Sequence, residues 1–339
     1  MTEPGNTKQL CLIGAGRIAQ VHARSVASIE GLSITAVVDP ALDAAKMLAA
    51  RFGAECYSSF PQALGAKHFD GVIVAAPTGL HADLIEASVA AGLPVFCEKP
   101  VDLDLARVDR CVDLVAKHDV PVLIGFHRRF DAARGEIHEL AVSGALGRLE
   151  HVLQISRDPR LPPESFIAHS GGIVRDMLIH DLDELIWLCG AGAVEVQAHL
   201  ERFVDPNMLE RHGDFDSAAI TIVFDNGPQC QLSATRRSGY GFEQRLEVFG
   251  ATGLAICPST PVSSLVRADA TGFSTGRLLD GFQHRYAAAY CAEMEHFSDI
   301  LEGRATSRCT VADARASLVL AEAVLEAATL KRTVSAALS

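Results

Sequence analysis

Long apolar runs are absent from this 339-residue chain. The longest, such as Val72 to Pro77 and Leu185 to Cys189, fall far short of the roughly 20 residues that a membrane span needs. Cations are scarce too. Lys and Arg total 30 against 42 Asp and Glu, a formal charge of −12. That balance argues against nucleic acid as a partner, because such binding draws on phosphate contacts, and favours small polar metabolites. The nine cysteines (Cys11, Cys56, Cys97, Cys111, Cys189, Cys230, Cys257, Cys291 and Cys309) form no C-x-x-C pair and no zinc spacing. An odd, scattered set of this kind reads as small buried hydrophobes. The opening MTEPGNTKQL lacks the basic flank and apolar core of a secretory signal, which makes the cytoplasm the expected location. Internal repeats and low-complexity tracts are missing as well. What is present, 49% hydrophobic, 21% charged and 6% aromatic residues, is the balance of a soluble globular chain with length for two ordinary domains.

From Gln9 to Ile124 short apolar runs (QLCLI, SITAVV, GVIVAA, PVFC and PVLIG) alternate with amphipathic stretches. The runs read as buried parallel strands. Between them Leu105, Val108, Cys111, Val112 and Val115 recur at helical spacing, one apolar stripe on a crossover helix. The pattern predicts a doubly wound α/β domain over residues 1–125. Beyond Gly125 the rhythm changes. Val194, Val196, Ala198 and Leu200 alternate with Glu195, Gln197 and His199, the period of a sheet with one covered face. AAITIVF, Asp225-Asn226-Gly227 and QCQLSA read as a hairpin on an Asn-Gly turn. RLEVFG and GLAICP around Ala251 and Thr252 read as another, and an amphipathic helix is expected over 312–330. Residues 126–339 are therefore expected to form an α+β domain with a helix-flanked, mainly antiparallel sheet, whose open apolar face would need a cover.

The first strand runs into Gly14, Ala15, Gly16, Arg17, Ile18 and Ala19, a G-x-G-x-x-A form of the dinucleotide fingerprint. Gly14 permits the tight turn, Gly16 lets the backbone approach a pyrophosphate, and Ala19 keeps the helix close to the sheet. The amides of Arg17 and Ile18 would face the phosphates at the helix N-terminus. Glycines alone are weak evidence, since tight turns use them without any ligand. Here Asp39 adds weight: it lies 20 residues beyond Ala19, where a carboxylate accepts from ribose hydroxyls and repels a 2′-phosphate. NAD is accordingly favoured over NADP. The plainer reading is that Asp39 only opens the turn before Pro40.

Ligands of open α/β sheets gather at the carboxyl ends of the strands. Two such ends carry chemistry: Ala76, Pro77, Thr78 and His81 after one strand, and Glu98, Lys99 and Pro100 after another. A surface lysine in a loop is the ordinary alternative for Lys99. A third mark is SGGIVRDMLIHDLDELIWL from Ser170 to Leu188, where Asp176 and His180 are four apart and thus neighbours on a helix, with Asp183 and Trp187 on the same stripe. A carboxylate beside an imidazole fixes the tautomer and suits a general base. Taken alone, such a pair is more often a surface hydrogen bond. No third ligand gives it a metal-site spacing.

Together GAGRIAQVHA, CEKP at 97–100, GFHRRFD at 125–131, SRDP at 156–159 and the Ser170–Leu188 segment resemble the glucose-fructose oxidoreductase and inositol 2-dehydrogenase family. TRRSGYGFEQRLEVFG from Thr235 and HRYAAAYCAEMEHF from His284 look most like its inositol dehydrogenases, and the resemblance spans nearly the whole chain. It implies an N-terminal Rossmann domain binding NAD(P), a C-terminal domain with a large open sheet, and commonly a homotetramer. It implies a catalytic lysine, aspartate and histidine at Lys99, Asp176 and His180, acting on a ring hydroxyl with hydride transfer to nicotinamide. In that scheme His180 is the general base, Asp176 its orienting partner and Lys99 the ammonium that holds the reacting oxygen, although Lys99 is the rival proton acceptor. A ring of hydroxyls calls for many hydrogen-bonding side chains, and Arg128, Arg157, Asp158 and Tyr240 match that role by resemblance, each also explicable as an ordinary salt bridge or sheet-surface residue. His127 stands where the family is expected to carry methionine, which bears on the substrate. The resemblance also suggests a cis bond between Lys99 and Pro100. An NAD-dependent inositol dehydrogenase is the leading expectation, with a dehydrogenase of another sugar or anhydrosugar, a sugar-processing enzyme that oxidises only transiently, and a non-catalytic dinucleotide-binding regulator as alternatives.

Overall fold

The structure, a computed structural model, describes residues 7–190, 192–225 and 227–336. The chain divides into two compact units: residues through Asp131 together with Ala288–Arg315, and Ala132–Ala287 together with the residues from Ala316 onward. Among the described residues no helix is long and apolar enough to cross a membrane.

The first unit alternates β1 (Lys8–Ile13), α1 (Arg17–Ala27), β2 (Leu32–Val38), α2 (Leu42–Ala50), β3 (Glu55–Tyr57), α3 (Phe60–Ala66), β4 (Gly71–Val74), α4 (His81–Ala90), β5 (Val95–Glu98), α5 (Leu105–Lys117) and β6 (Val122–Gly125). All strand pairs are parallel, in the order β3-β2-β1-β4-β5-β6. The strand order reverses at β1 and β4, which makes the carboxyl ends of these two strands the ligand-binding edge. Leu10, Leu12, Val72, Ile73, Val95 and Phe96 are fully buried, because a parallel sheet has helices on both faces and admits continuous apolar runs. The five expected strands are present. The sixth, β3, has three residues and an exposed Glu55, too short and too polar an edge strand to produce an apolar run. Within the predicted stripe of α5, Val108 and Cys111 are buried.

The second unit contains α6 (Ala132–Val142), β7 (Leu149–Arg157), α7 (Glu164–Ser170), a π-helical turn at Ile173–Met177, α8 (Ile179–Cys189), β8 (Ala193–Glu201), α9 (Pro206–Arg211), β9 (Ser217–Phe224), β10 (Gln229–Thr235), β11 (Glu243–Gly250), β12 (Gly253–Cys257), the small hairpin of β13 (Val266–Asp269) with β14 (Gly272–Thr275), and α10 (Phe282–Arg285). Helix α11 (Ala287–Leu301) follows, and then α12 (Val311–Leu330). Six strands form a sheet in the order β12-β11-β7-β10-β9-β8, antiparallel except for the β7–β10 pair. Both expected hairpins are present, as β9–β10 and β11–β12; Asn226, part of the first predicted turn, lies outside the described residues. The alternation in β8 holds from Val196 onward. Val194 departs from it, 38% exposed, because the pairing with β9 slips between Ala193 and Glu195, and a one-residue slip moves a side chain to the other face.

Charge is carried into the interior of this unit. On α8, Asp181, Asp183 and Glu184 are each no more than 1% exposed. Asp181 accepts from Ser156 Oγ at 2.5 Å, and Asp183 from Ser317 Oγ at 3.2 Å. Glu184 accepts from Gln154 at 2.8 Å and pairs with the buried Arg134. Burial alone would lower the Arg134 pKa, yet Glu184 against it holds the guanidinium above its ordinary value. None of the nine cysteines is in a disulfide. Cys189 and Cys230 stand 3.8 Å apart at sulfur, well beyond the bonded distance of about 2.05 Å.

Candidate active site

The first unit gathers candidate site residues at the carboxyl edge of its sheet. Gly14 adopts φ +107°, and its amide donates to Val38 O at 2.7 Å. A Cβ here would lie 2.3 Å from Ala75 O, so only glycine fits. Gly16 heads α1, and nothing in the protein lies within 4 Å of where its Cβ would stand. The backbone at that point is open to a close approach from outside. No acidic residue occupies the first turn of α1, and the start of a helix, here at Arg17 and Ile18, favours an anion. Ala19 is fully buried against the sheet. These features suit a dinucleotide pyrophosphate.

Asp39 follows β2. Its Oδ2 accepts from the Ala15 amide and its Oδ1 from the Ala41 amide, both at 2.8 Å. The carboxylate thus opens its own turn, as the plainer sequence reading held, and also fixes the glycine turn. Two bonds leave acceptor capacity on a group with about four lone-pair sites.

Beyond β4 stand Ala76, Pro77, Thr78 and His81; Glu98 is the last residue of β5, and Lys99 follows it. His81 is 2% exposed, its Nδ1 2.8 Å from Pro100 O and its Nε2 2.8 Å from Ala76 O. Burial lowers its pKa and outweighs both carbonyls, which act to raise it. The ring ties the ends of two neighbouring strands together. Glu98 is buried, and its Oε2 accepts the Lys99 amide at 3.2 Å. The Lys99–Pro100 bond is cis. His127 and Arg128 follow β6 in a short 3₁₀ turn, each 4% exposed. The His127 ring centroid lies 4.9 Å from that of Tyr290.

A cavity of about 740 Å³, lined by Leu64, His68, Phe69, Asp70 and Leu93 among others, sits by the amino ends of β4 and β5. That is the edge opposite the one where open α/β sheets bind ligands.

The second unit holds Asp176 and His180. The four-residue spacing predicted a regular helix across both. Instead Asp176 lies in the π-helical turn, closed by a bond from Leu178 N to Ile173 O at 2.9 Å, and His180 lies in the first turn of α8. A π turn inserts an extra residue into the helical path and so re-aims the side chains on it. Arg236, fully buried at the end of β10, donates Nη1 to Asp214 at 2.6 Å and holds Nη2 3.7 Å from Asp176 Oδ2. Asp214 in turn accepts the Ile173 amide at 2.7 Å, which anchors the start of the π turn. Arg157 Nη1 donates to Tyr240 Oη at 2.8 Å, and Tyr240 donates to Glu243 at 2.5 Å. Asp158 donates its amide to Thr235 O at 2.9 Å.

Sequence reasoning did not single out Arg236, Asp214, Glu243 or His22. The first three are ordinary charged residues in strands or loops and gave no local signal. His22 did give one: with Ala19, Ala23 and Val26 it shares the buried helical stripe of α1.

Residues 8–126 match the model of an oxidoreductase family with an NAD-binding Rossmann fold, and residues 135–256 match the GFO/IDH/MocA C-terminal domain. An inositol 2-dehydrogenase of Rhizobium meliloti (strain 1021) is 36% identical over 98% of this chain and 100% of its own length. Among solved structures, a myo-inositol dehydrogenase from Corynebacterium glutamicum ATCC 13032 has a TM-score of 0.91 at 34% identity, covering 97% of this chain and 98% of its own. A scyllo-inositol dehydrogenase from Lactobacillus casei, solved with NAD(H) and scyllo-inositol bound, has a TM-score of 0.90 at 25% identity, covering 98% of this chain and 99% of its own.

Proposed function

The chain belongs to the oxidoreductase family that joins an NAD-binding Rossmann fold to a GFO/IDH/MocA C-terminal domain, and from that premise we propose that it oxidises a ring hydroxyl of myo- or scyllo-inositol to the inosose. It is an NAD-dependent dehydrogenase. The observation that carries the substrate is the end-to-end likeness to an inositol 2-dehydrogenase, 36% identical over 98% of the chain.

NAD, when bound, supplies the hydride acceptor. Gly14, Gly16 and the amides of Arg17 and Ile18 hold its pyrophosphate, and Asp39 takes the adenosine ribose. Residues 76–78, with His81 and Glu98 fixing the strand ends, shape the nicotinamide side. His180 accepts the hydroxyl proton, Asp176 orients the imidazole, and the Lys99 ammonium stabilises negative charge developing on the substrate oxygen. His127, Arg128, Arg157, Asp158 and Tyr240 bind the remaining hydroxyls. On this reading residues 1–125 are the cofactor domain and residues 126–339 the domain for substrate and self-association. A cytoplasmic homotetramer fits the open face of the second unit's sheet, where Phe249, Leu254 and Ile256 are 44–51% exposed.

The test is a panel of inositols and hexoses assayed with NAD and with NADP, using the parent, Lys99→Ala and His180→Ala. Oxidation of an inositol with NAD is expected, and each variant should lose at least about a hundredfold in turnover while still binding NAD. No activity on any inositol sinks the substrate, and near-normal turnover in either variant sinks the residue roles.

A further inference from the structure

The motif that opens the dinucleotide turn contains a histidine that neither the turn nor the reaction uses. We propose that His22 is a positioning residue for Lys99, acting through Glu98, so that the helix heading the cofactor turn is tied to the strand end that carries the ammonium. The proposal rests on the role given to Lys99 above.

His22 is fully buried on α1. Its Nε2 stands 2.7 Å from Glu98 Oε1, although 76 residues separate the two. The other oxygen of the same carboxylate, Oε2, accepts the backbone amide of Lys99 at 3.2 Å. One carboxylate therefore bridges the helix and the lysine. It has little freedom to do anything else. A Cβ at Gly125 on the neighbouring strand would stand 3.4 Å from Glu98 Cδ and 3.0 Å from Phe96 Cζ, so the glycine lets that strand pass close beside the carboxylate. The imidazole is held edge-on by Phe96 at 4.8 Å and by Tyr290 at 5.6 Å between ring centroids.

The first unit holds a second buried acid. Glu293 on α11 is fully buried, and neither of its carboxyl oxygens has a hydrogen-bond partner. Burial, and secondarily the charge of Glu98, keep it protonated well above the usual carboxylate range. Glu98, by contrast, is the acid that meets both His22 and the Lys99 amide. A buried carboxylate that loses one of its donors seeks another or suffers the cost of the unmade bond. In either case the Oε2 contact is disturbed, and a displacement near 1 Å at a reacting group is enough to slow chemistry strongly.

The experiment compares His22→Leu, His22→Gln and Glu98→Gln in the full chain with NAD present. Two readouts are taken: steady-state kinetics on the polyol, and the ¹³C signal of Lys99 after reductive methylation. The chain has six lysines, and the Lys99 signal is identified by its loss in Lys99→Ala. In His22→Leu, kcat is expected to fall at least about tenfold, KM and NAD affinity to change little, and the Lys99 signal to move. His22→Gln, whose amide stands in for Nε2, should recover most of kcat and return the signal. If His22→Leu does not fold, Glu98→Gln, which keeps shape but not charge, carries the test with the same expectation of a displaced signal. An unmoved Lys99 signal in the folded variants overturns the proposal. A moved signal with undiminished kcat upholds the positioning and overturns instead the catalytic reading of Lys99.

Discussion

In the first unit the strands β1, β4 and β5 hold buried apolar side chains along almost their whole length, and polar groups gather where the strands of this sheet stop: Asp39 after β2, His81 beyond β4, and Glu98 and Lys99 at the end of β5. In the second unit the strands alternate, and acids and arginines sit within the interior, with Arg134 on Glu184, Arg236 on Asp214, and Asp181 and Asp183 on hydroxyls. The difference follows from sheet type. A parallel sheet covered on both faces has no room for a charge except at its ends, so function collects at an edge. A sheet with one open face leaves its single covered side to pack helices, and here that packing includes charged groups whose stability depends on their partners.

Three measurements sharpen or break that contrast. The largest effect is expected at Arg134. Arg134→Met leaves Glu184 charged and buried without its cation, which should cost about 3–5 kcal/mol in urea unfolding, whereas the double variant with Glu184→Leu should recover most of it. By comparison, Ile73→Val in the first sheet should cost only about 0.5–1.5 kcal/mol. Equal losses for the two single changes would erase the distinction.

Next comes Gly14→Ala, at the edge where the first unit concentrates its chemistry. A non-glycine residue at φ +107° carries roughly 1–2 kcal/mol of backbone strain before the 2.3 Å approach to Ala75 O is counted. NAD affinity by calorimetry should fall at least tenfold, about 1.4 kcal/mol; unchanged affinity would remove the glycine turn from the cofactor site.

The effect at Glu293, a buried acid that breaks the first unit's rule, starts from nothing near pH 4 and grows with pH. Its folded-state pKa is raised by burial, so the unfolded chain releases this proton at lower pH than the folded one. Its contribution is complete below the ordinary glutamate value of about 4.3 and is lost as pH rises toward the folded-state value. Glu293→Gln should therefore match the parent near pH 4 and exceed it by about 1.4 kcal/mol for each pH unit above that value, until the folded-state value is reached. A stability difference that does not vary with pH would show that Glu293 is ionised in the native chain.

The same contrast governs what the residues alone disclosed. The strands of the first sheet, its glycine turn and the strand-end Lys99 were legible because a two-sided sheet imposes unbroken apolar runs and a dinucleotide turn imposes glycine at fixed offsets. The two hairpins of the second sheet were legible from alternation and turn residues. The π turn under Asp176 was not, since one inserted residue in a helical path leaves the apolar spacing almost intact. Nor was the link from Arg236 to Asp214 and Asp176, because residues brought together across a sheet by tertiary packing carry no local period. Val194 shows the same limit on a small scale, for a single slip in pairing reverses one side chain and spares the rest.

The discontinuity of the first unit sets the order in which the molecule becomes complete during synthesis. Ile124 N donates to Cys309 O at 2.9 Å, Phe297 packs on Phe96 at 6.2 Å between ring centroids, and Arg129 reaches Asp313 at 3.3 Å. The nascent chain through Asp131 therefore emerges with part of its sheet uncovered. At roughly 5–20 residues per second, the stretch from Asp131 to Arg315 takes about 10 to 40 s to translate. For that interval the nucleotide-binding unit waits on the ribosome for its own last helices, exposing β5 and β6 to whatever chaperone or neighbouring chain meets them first.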